Sequence, residues 1–203
     1  MNQSTPTEQR DLAANLAPTD WKRALAVAEA IDDKWFACQA LASVARFAPK
    51  DQFAKIIRKS LYSSAKADDP YKIVAASAWP LRAMIEVGET EELAWHITQN
   101  LKIAAGIDPP SSRSEALFLL FQSVLPAGRA AWLPVLNALL ESSTPVSHWR
   151  QRRNARDAIL ILITQGEPDV PEFLARIDQE TRSQIEKYAS TRPPLAARPF
   201  FWK

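Results

Sequence analysis

Four arginines crowd one short run of this chain, SHWRQRRNAR at positions 147–156. Arg150, Arg152, Arg153 and Arg156 fall in the first turns of an expected helix, with Asp157 the acid that follows them. The positive end of the helix macrodipole opposes cations there by a few tenths up to ~1 kcal/mol each, so a compensating anion is expected. Guanidinium groups favour bidentate contact with carboxylate or phosphate, which a binding partner would supply. Acids of neighbouring segments, such as Glu141 or Asp178, would serve equally well. Ala155, Ala158, Ile159 and Leu162 mark the apolar side of this helix, and Arg152, Arg153 and Arg156 point broadly away from it.

A second basic feature lies in KIIRKSLYSSAK. Lys55, Arg58, Lys59, Tyr62 and Lys66 recur at helical spacing and form one stripe, with Phe53, Ile56, Ile57 and Leu61 on the other side. The stripe could grip an acidic partner or a phosphate backbone, or stand as a solvated outer face. A third feature is the run RPPLAARPFFWK. Pro193, Pro194 and Pro199 forbid helix continuation, Arg192 and Arg198 keep the approach polar, and Phe200, Phe201 and Trp202 stand together. These aromatics either fold back over an open end of the molecule or across its groove, or they form a hook inserted into a partner protein or a second copy in a homodimer. Three aromatics are too few for a stable membrane anchor without a second signal.

Other chemistry is excluded by residue count and spacing. Two histidines, His96 and His148, and one cysteine, without paired Cys-x2-Cys or His-Glu-x2-His spacing, leave no structural zinc site. Glycine-rich nucleotide loops and the G-x-S-x-G elbow are missing, so neither a cofactor nor a catalytic residue is expected. Asp32 with Asp33 and Asp68 with Asp69 resemble carboxylate dyads but sit at helix starts, where capping explains them. Cys38, inside WFACQALASVA, is expected to be a buried structural thiol. A net charge of +2 is small for a dedicated nucleic-acid binder. The opening residues lack the pattern of a signal peptide and no apolar run is long enough to span a membrane, so a cytoplasmic protein is expected.

These residues must be positioned by helices. Glycine numbers 4 in 203 residues, about 2% against roughly 7% in average proteins, which disfavours turn-rich sheet folds. Gly88, Gly128 and Gly166 each close an apolar helical pattern, and with Ala48 they give spacings of 40, 40 and 38 residues. Seven residues before these anchors stand Leu41, Leu81, Phe121 and Ile159; four before stand Val44, Met84, Val124 and Leu162; three before stand Ala45, Ile85, Leu125 and Ile163. Uniformly apolar columns imply that successive helices share one phase. About nine helices are expected, over 19–31, 33–47, 50–66, 70–87, 90–105, 112–126, 129–142, 147–165 and 170–189, with a short one near 7–15. Asp69 with Pro70, Ser112 with Glu115, and Thr90 with Glu91 and Glu92 supply start signals, and the glycines suit C′ positions. The seven tryptophans, Trp21, Trp35, Trp79, Trp95, Trp132, Trp149 and Trp202, are expected to fill gaps between stacked pairs. The chain thus divides into a partly flexible segment 1–18, a repeat array 19–189 and a proline-rich aromatic tail 190–203.

In its period, its helix pairing and Pro80 inside a first helix, segment 19–189 resembles the HEAT-like α-solenoids. Tetratricopeptide repeats fit less well, because their period is 34 and their W-x2-L-G-x2-Y pattern is missing. The resemblance implies an all-α, right-handed superhelix of four to five helix pairs acting as a non-catalytic scaffold that binds another protein. Nucleic-acid binding is the alternative, in the manner of DNA glycosylases built on HEAT-like repeats, which use an aromatic and basic groove. No catalytic residue of that family matches here.

Overall fold

The computed structural model describes residues 4–143 and 147–201. Among them the chain is all-helical, without strands: α1 (Pro6–Leu16), α2 (Trp21–Glu29), α3 (Lys34–Ala45), α4 (Lys50–Ala65), α5 (Pro70–Val87), α6 (Leu93–Ala104), α7 (Pro110–Val124), α8 (Arg129–Glu141), α9 (Trp149–Gln165), α10 (Val170–Leu174) and α11 (Gln179–Thr191). No helix is long and apolar enough to cross a membrane among the described residues.

Local chemistry accounts for most boundaries. Asp33 accepts the Trp35 and Phe36 amides, and Asp69 accepts that of Lys72 with Pro70 in the first turn, so both acid pairs end in capping residues. The expected box at Ser112 and Glu115 is not used. α7 already begins at Pro110, which places Ser112 inside the helix. Likewise α6 starts at Leu93 without a side-chain cap, so Thr90 caps nothing. His148, unanticipated as a cap, accepts the Arg150 amide while Gln151 reaches back to its backbone. The helix expected over 170–189 is divided, because Asp178 caps a new start by accepting from the Thr181 amide and hydroxyl.

Gly88 and Gly166 close α5 and α9 at φ of 81° and 72°, the left-handed C-cap conformation. Gly128 departs from that expectation. Pro126 lacks an amide hydrogen, the chain tightens into a 3-10 turn over Leu125–Ala127, and Gly128 then adopts φ 91°, ψ 175° as the cap of α8.

The odd-numbered helices α1, α3, α5, α7 and α9 lie side by side, each against the next, and each is paired with the helix that follows it. The opposite row is looser. Clefts of about 480 Å³ between α2 and α4 and about 210 Å³ at the α4–α6 junction open on that side. The core runs along the odd row: Leu41, Leu81, Phe121 and Ile159 are buried, as are Val44, Met84, Val124 and Leu162. The third column is mixed, since Ala45 and Leu125 are buried while Ile85 and Ile163 are half-buried. Polar contacts repeat the same interval. Arg46 donates to Glu86, Asn154 donates to the Ser114 hydroxyl, and Arg129 pairs with Asp169, each pair 40 residues apart. Measured from the anchors, Arg46 with Glu86 and Arg129 with Glu167 join equivalent positions of consecutive pairs.

Pro80 sits within continuous α5 and leaves the Ala76 carbonyl without its usual helical donor. The Cys38 thiol, from α3, takes that place at 3.3 Å, and Ser60 of α4 donates to the Cys38 carbonyl at 2.7 Å. Burial pushes the thiol up to about 12. The one cysteine is thus a neutral donor that completes a proline-interrupted helix.

Candidate interaction face

α11 stops at Thr191 because Pro193 and Pro194 cannot continue it. Arg192, restricted by the following proline, is extended at φ −116°, ψ 156°. From there the chain runs back along the odd row. Pro193, Pro194 and Leu195 border α9, the Arg198 amide donates to the Gln122 side chain on α7, and Phe200 and Phe201 reach α5 and α3. Residues 193–199 adopt no helix, and the segment passes α9, α7, α5 and α3 in turn.

Its far end is seated firmly. The Trp79 indole donates to the Phe200 carbonyl at 3.0 Å, and the Arg198 amide lies 3.0 Å from Gln122 Oε1. Both are contacts to main chain, two residues apart. Phe200 meets Trp79 edge-on at 5.4 Å, and Trp79 meets Trp35 at 6.0 Å, which stacks in turn on Tyr71. Beside the two phenyl rings Glu86 binds Arg46 at 2.7 Å and Arg82 at 2.8 Å. Those guanidinium groups lie 4.1 Å from the Phe201 ring centre and 5.9 Å from that of Phe200. Phe200 and Phe201 end 6% and 9% exposed, and a space of about 450 Å³ remains between them and Ala14, Asn15 and Pro18. Trp202 lies outside the described residues.

The approach is loosely held by comparison. Residues 192–196 are exposed, as are Arg198 and Pro199, and a cavity of about 390 Å³ lies between the approach and Leu160, Ile163 and Tyr188. Arg192 covers one approach to the Tyr188 ring at 3.7 Å, and Arg156 lies 4.7 Å from the same ring.

The arginine helix is largely matched within the chain. Arg152 pairs with Glu180 at 2.6 Å, Arg156 with Asp157 at 2.8 Å, and Arg150 and Arg153 each stand 3.9 Å from Glu115. The partners are not Glu141 or Asp178, because α7 and α11 flank α9 and present Glu115 and Glu180. Arg156 is also largely covered rather than pointing into solvent. The looser pair, Arg150 and Arg153, lies over Trp149, which is 54% exposed instead of filling a gap; Trp95 is exposed too. Arg153 also borders an open groove of about 540 Å³ with Tyr71, Glu115, Phe118 and Arg198.

Lys55, Arg58, Lys59 and Tyr62 lie on α4, in the other row. Lys59 pairs with Glu29, Tyr62 is exposed, and Arg58, Lys59 and Tyr62 rim the α2–α4 cleft. The lysine stripe and the arginines are therefore not brought together. Sequence reasoning missed Gln122 and treated Trp79 as filler. A glutamine inside ALFLLFQSV was the available signal, since a buried amide requires a partner. His96 is a separate feature: its Nε2 is buried without a hydrogen-bond partner, and burial holds its imidazole below the usual histidine range against the opposing pull of Glu92.

No family model, curated protein or solved structure matches the chain.

Proposed function

We propose that the protein is a HEAT-like helical-repeat scaffold, non-catalytic, whose odd-helix face binds an extended segment of a partner protein. The observation that carries this reading is the pair of side chains, Trp79 and Gln122, bonded to the main chain of a non-helical segment. A buried indole N–H and a buried amide oxygen both aimed at backbone groups suit peptide chain of many sequences, with flanking rings selecting side chains. The repeat architecture is supported by the aligned buried columns and by the polar contacts 40 residues apart. A row of close-set helices opposite a row separated by clefts favours curvature toward the close-set row, which makes the odd face the concave one. The carboxylates facing the arginines and the separation of the two basic features give the nucleic-acid alternative no particular support.

The test is site-specific photocrosslinking in the full chain, with the crosslinking residue at Phe118 on α7 or at Tyr62 on α4. Protein adducts at Phe118 that are diminished by Gln122→Ala support the scaffold reading. Adducts at Tyr62 alone, or crosslinks to nucleic acid at Phe118, refute it.

A further inference from the structure

Segment 198–201 is held through its main chain as well as through its side chains. Its two firm bonds go to main-chain groups, the Arg198 amide and the Phe200 carbonyl, and the residue between them is Pro199. Proline is suited to that position because no amide donor is required of it and its fixed φ limits the freedom lost on docking. On either side of the backbone bonds the face supplies places for particular side chains. Phe200 sits against Trp79 and Phe201 under Arg46, while the Arg198 guanidinium lies 5.7 Å from the ring centres of both Trp79 and Phe200. The connection through Pro193 and Pro194 is exposed and borders a cavity, and of the docked segment Arg198 and Pro199 are exposed too, so the burial is confined to Phe200 and Phe201. Two buried rings beside two main-chain bonds, joined to the helices through an exposed strap, are the arrangement of a detachable ligand.

We infer that the odd-helix face recognises an Arg-Pro-aromatic-aromatic segment of a partner protein, and that residues 198–201 are an intramolecular competitor occupying that site until the partner displaces them. This rests on the reading of the face as a partner-binding surface and adds the chemistry of the partner and a means of control. The strap keeps the competitor at an effective concentration on the order of millimolar, typical of short tethers. A partner segment therefore meets a site that is mostly closed, and its apparent affinity is reduced by the fraction of open molecules. Trp79 and Gln122 are positioned for either occupant. The strap sets the threshold.

The probe is a synthetic, dye-labelled peptide with the sequence of residues 195–203, titrated into the full chain and into the full-length Phe200→Ala/Phe201→Ala variant, with fluorescence polarisation as readout. The double variant is expected to bind the peptide roughly five- to thirtyfold more tightly than the unaltered chain. Adding Trp79→Phe to that variant is expected to weaken binding about tenfold, and a peptide with both phenylalanines replaced by alanine should not bind. In case the variant folds poorly, hydrogen exchange on the unaltered chain provides an independent readout. Saturating peptide should accelerate exchange of the Arg198 amide, which Gln122 otherwise accepts, and leave core amides of α7 protected. Equal affinity for the two chains, or peptide binding that leaves Arg198 protected, overturns the inference. So does a full chain that sediments as a dimer which the double variant cannot form, because the occupant would then be a second copy. Lack of peptide binding in both forms, with α7 crosslinks to a protein still obtained, removes the motif and the competitor but leaves the scaffold; loss of both removes the scaffold as well.

Discussion

Phe200→Ala separates a detachable strap from an integral part of the core. In a cooperative interior, truncating phenylalanine to alanine costs about 3–5 kcal/mol. Here the loss should be capped, because the altered segment can leave the face while the helices stay folded. Burying Phe200 and Phe201 contributes about 1.5–3 kcal/mol each. The bonds to Trp79 and Gln122 add about 0.5–1.5 kcal/mol each. Against this, fixing the backbone of 198–201 costs about 1–2 kcal/mol per residue. These totals nearly cancel and leave docking favoured by a net on the order of 1 kcal/mol. Phe200→Ala should therefore reduce stability by no more than about 2 kcal/mol in urea denaturation, with little change in slope. Phe200→Ala/Phe201→Ala should add almost nothing further, and the Arg198 amide should lose its protection in both variants. A loss of 3–5 kcal/mol, with Arg198 exchanging only through global unfolding in the unaltered chain, would refute the reasoning and make the segment part of the cooperative fold.

Three further outcomes are expected. The buried Cys38 thiol, raised from 9.0 to about 12, stabilises the fold fully below about pH 9 and loses that contribution as pH rises toward 12. Urea unfolding at pH 8 and 10.5 should differ by on the order of 2 kcal/mol more in the unaltered chain than in Cys38→Ala. His96 has the opposite sign: its lowered position means stability is present above the ordinary histidine value and declines as pH falls below it. Thermal unfolding at pH 7 and pH 5 should converge when His96→Gln removes the titrating ring, and an unchanged pH difference would count against this account. Gly128→Ala should cost about 1–3 kcal/mol and more than Gly88→Ala, because only Gly128 combines φ 91° with ψ 175°. Since an added methyl meets nothing at either glycine, the comparison of melting temperatures measures backbone strain alone.

Helical period, phase and spacing were local properties, and the sequence by itself determined them: the apolar columns at Leu41, Leu81, Phe121 and Ile159 became the buried odd row, and Asp33 and Asp69 became caps. Local signals failed where a stronger neighbour intervened. Pro126 displaced Gly128 from its expected C-cap, and Pro110 began α7 before Ser112 could act. Which side of each helix meets which other segment depends on distant contacts that no spacing encodes. Only the tertiary structure placed Glu115 and Glu180 opposite the arginines, put the lysine stripe on the other row, and gave the carbonyl freed by Pro80 to Cys38. It also decided the place of Phe200 and Phe201. The prolines in the tail dictated an extended path, but its direction was set by a buried indole and a buried amide that needed hydrogen-bond partners, and residues 198 and 200 supply them from 76 and 121 positions away.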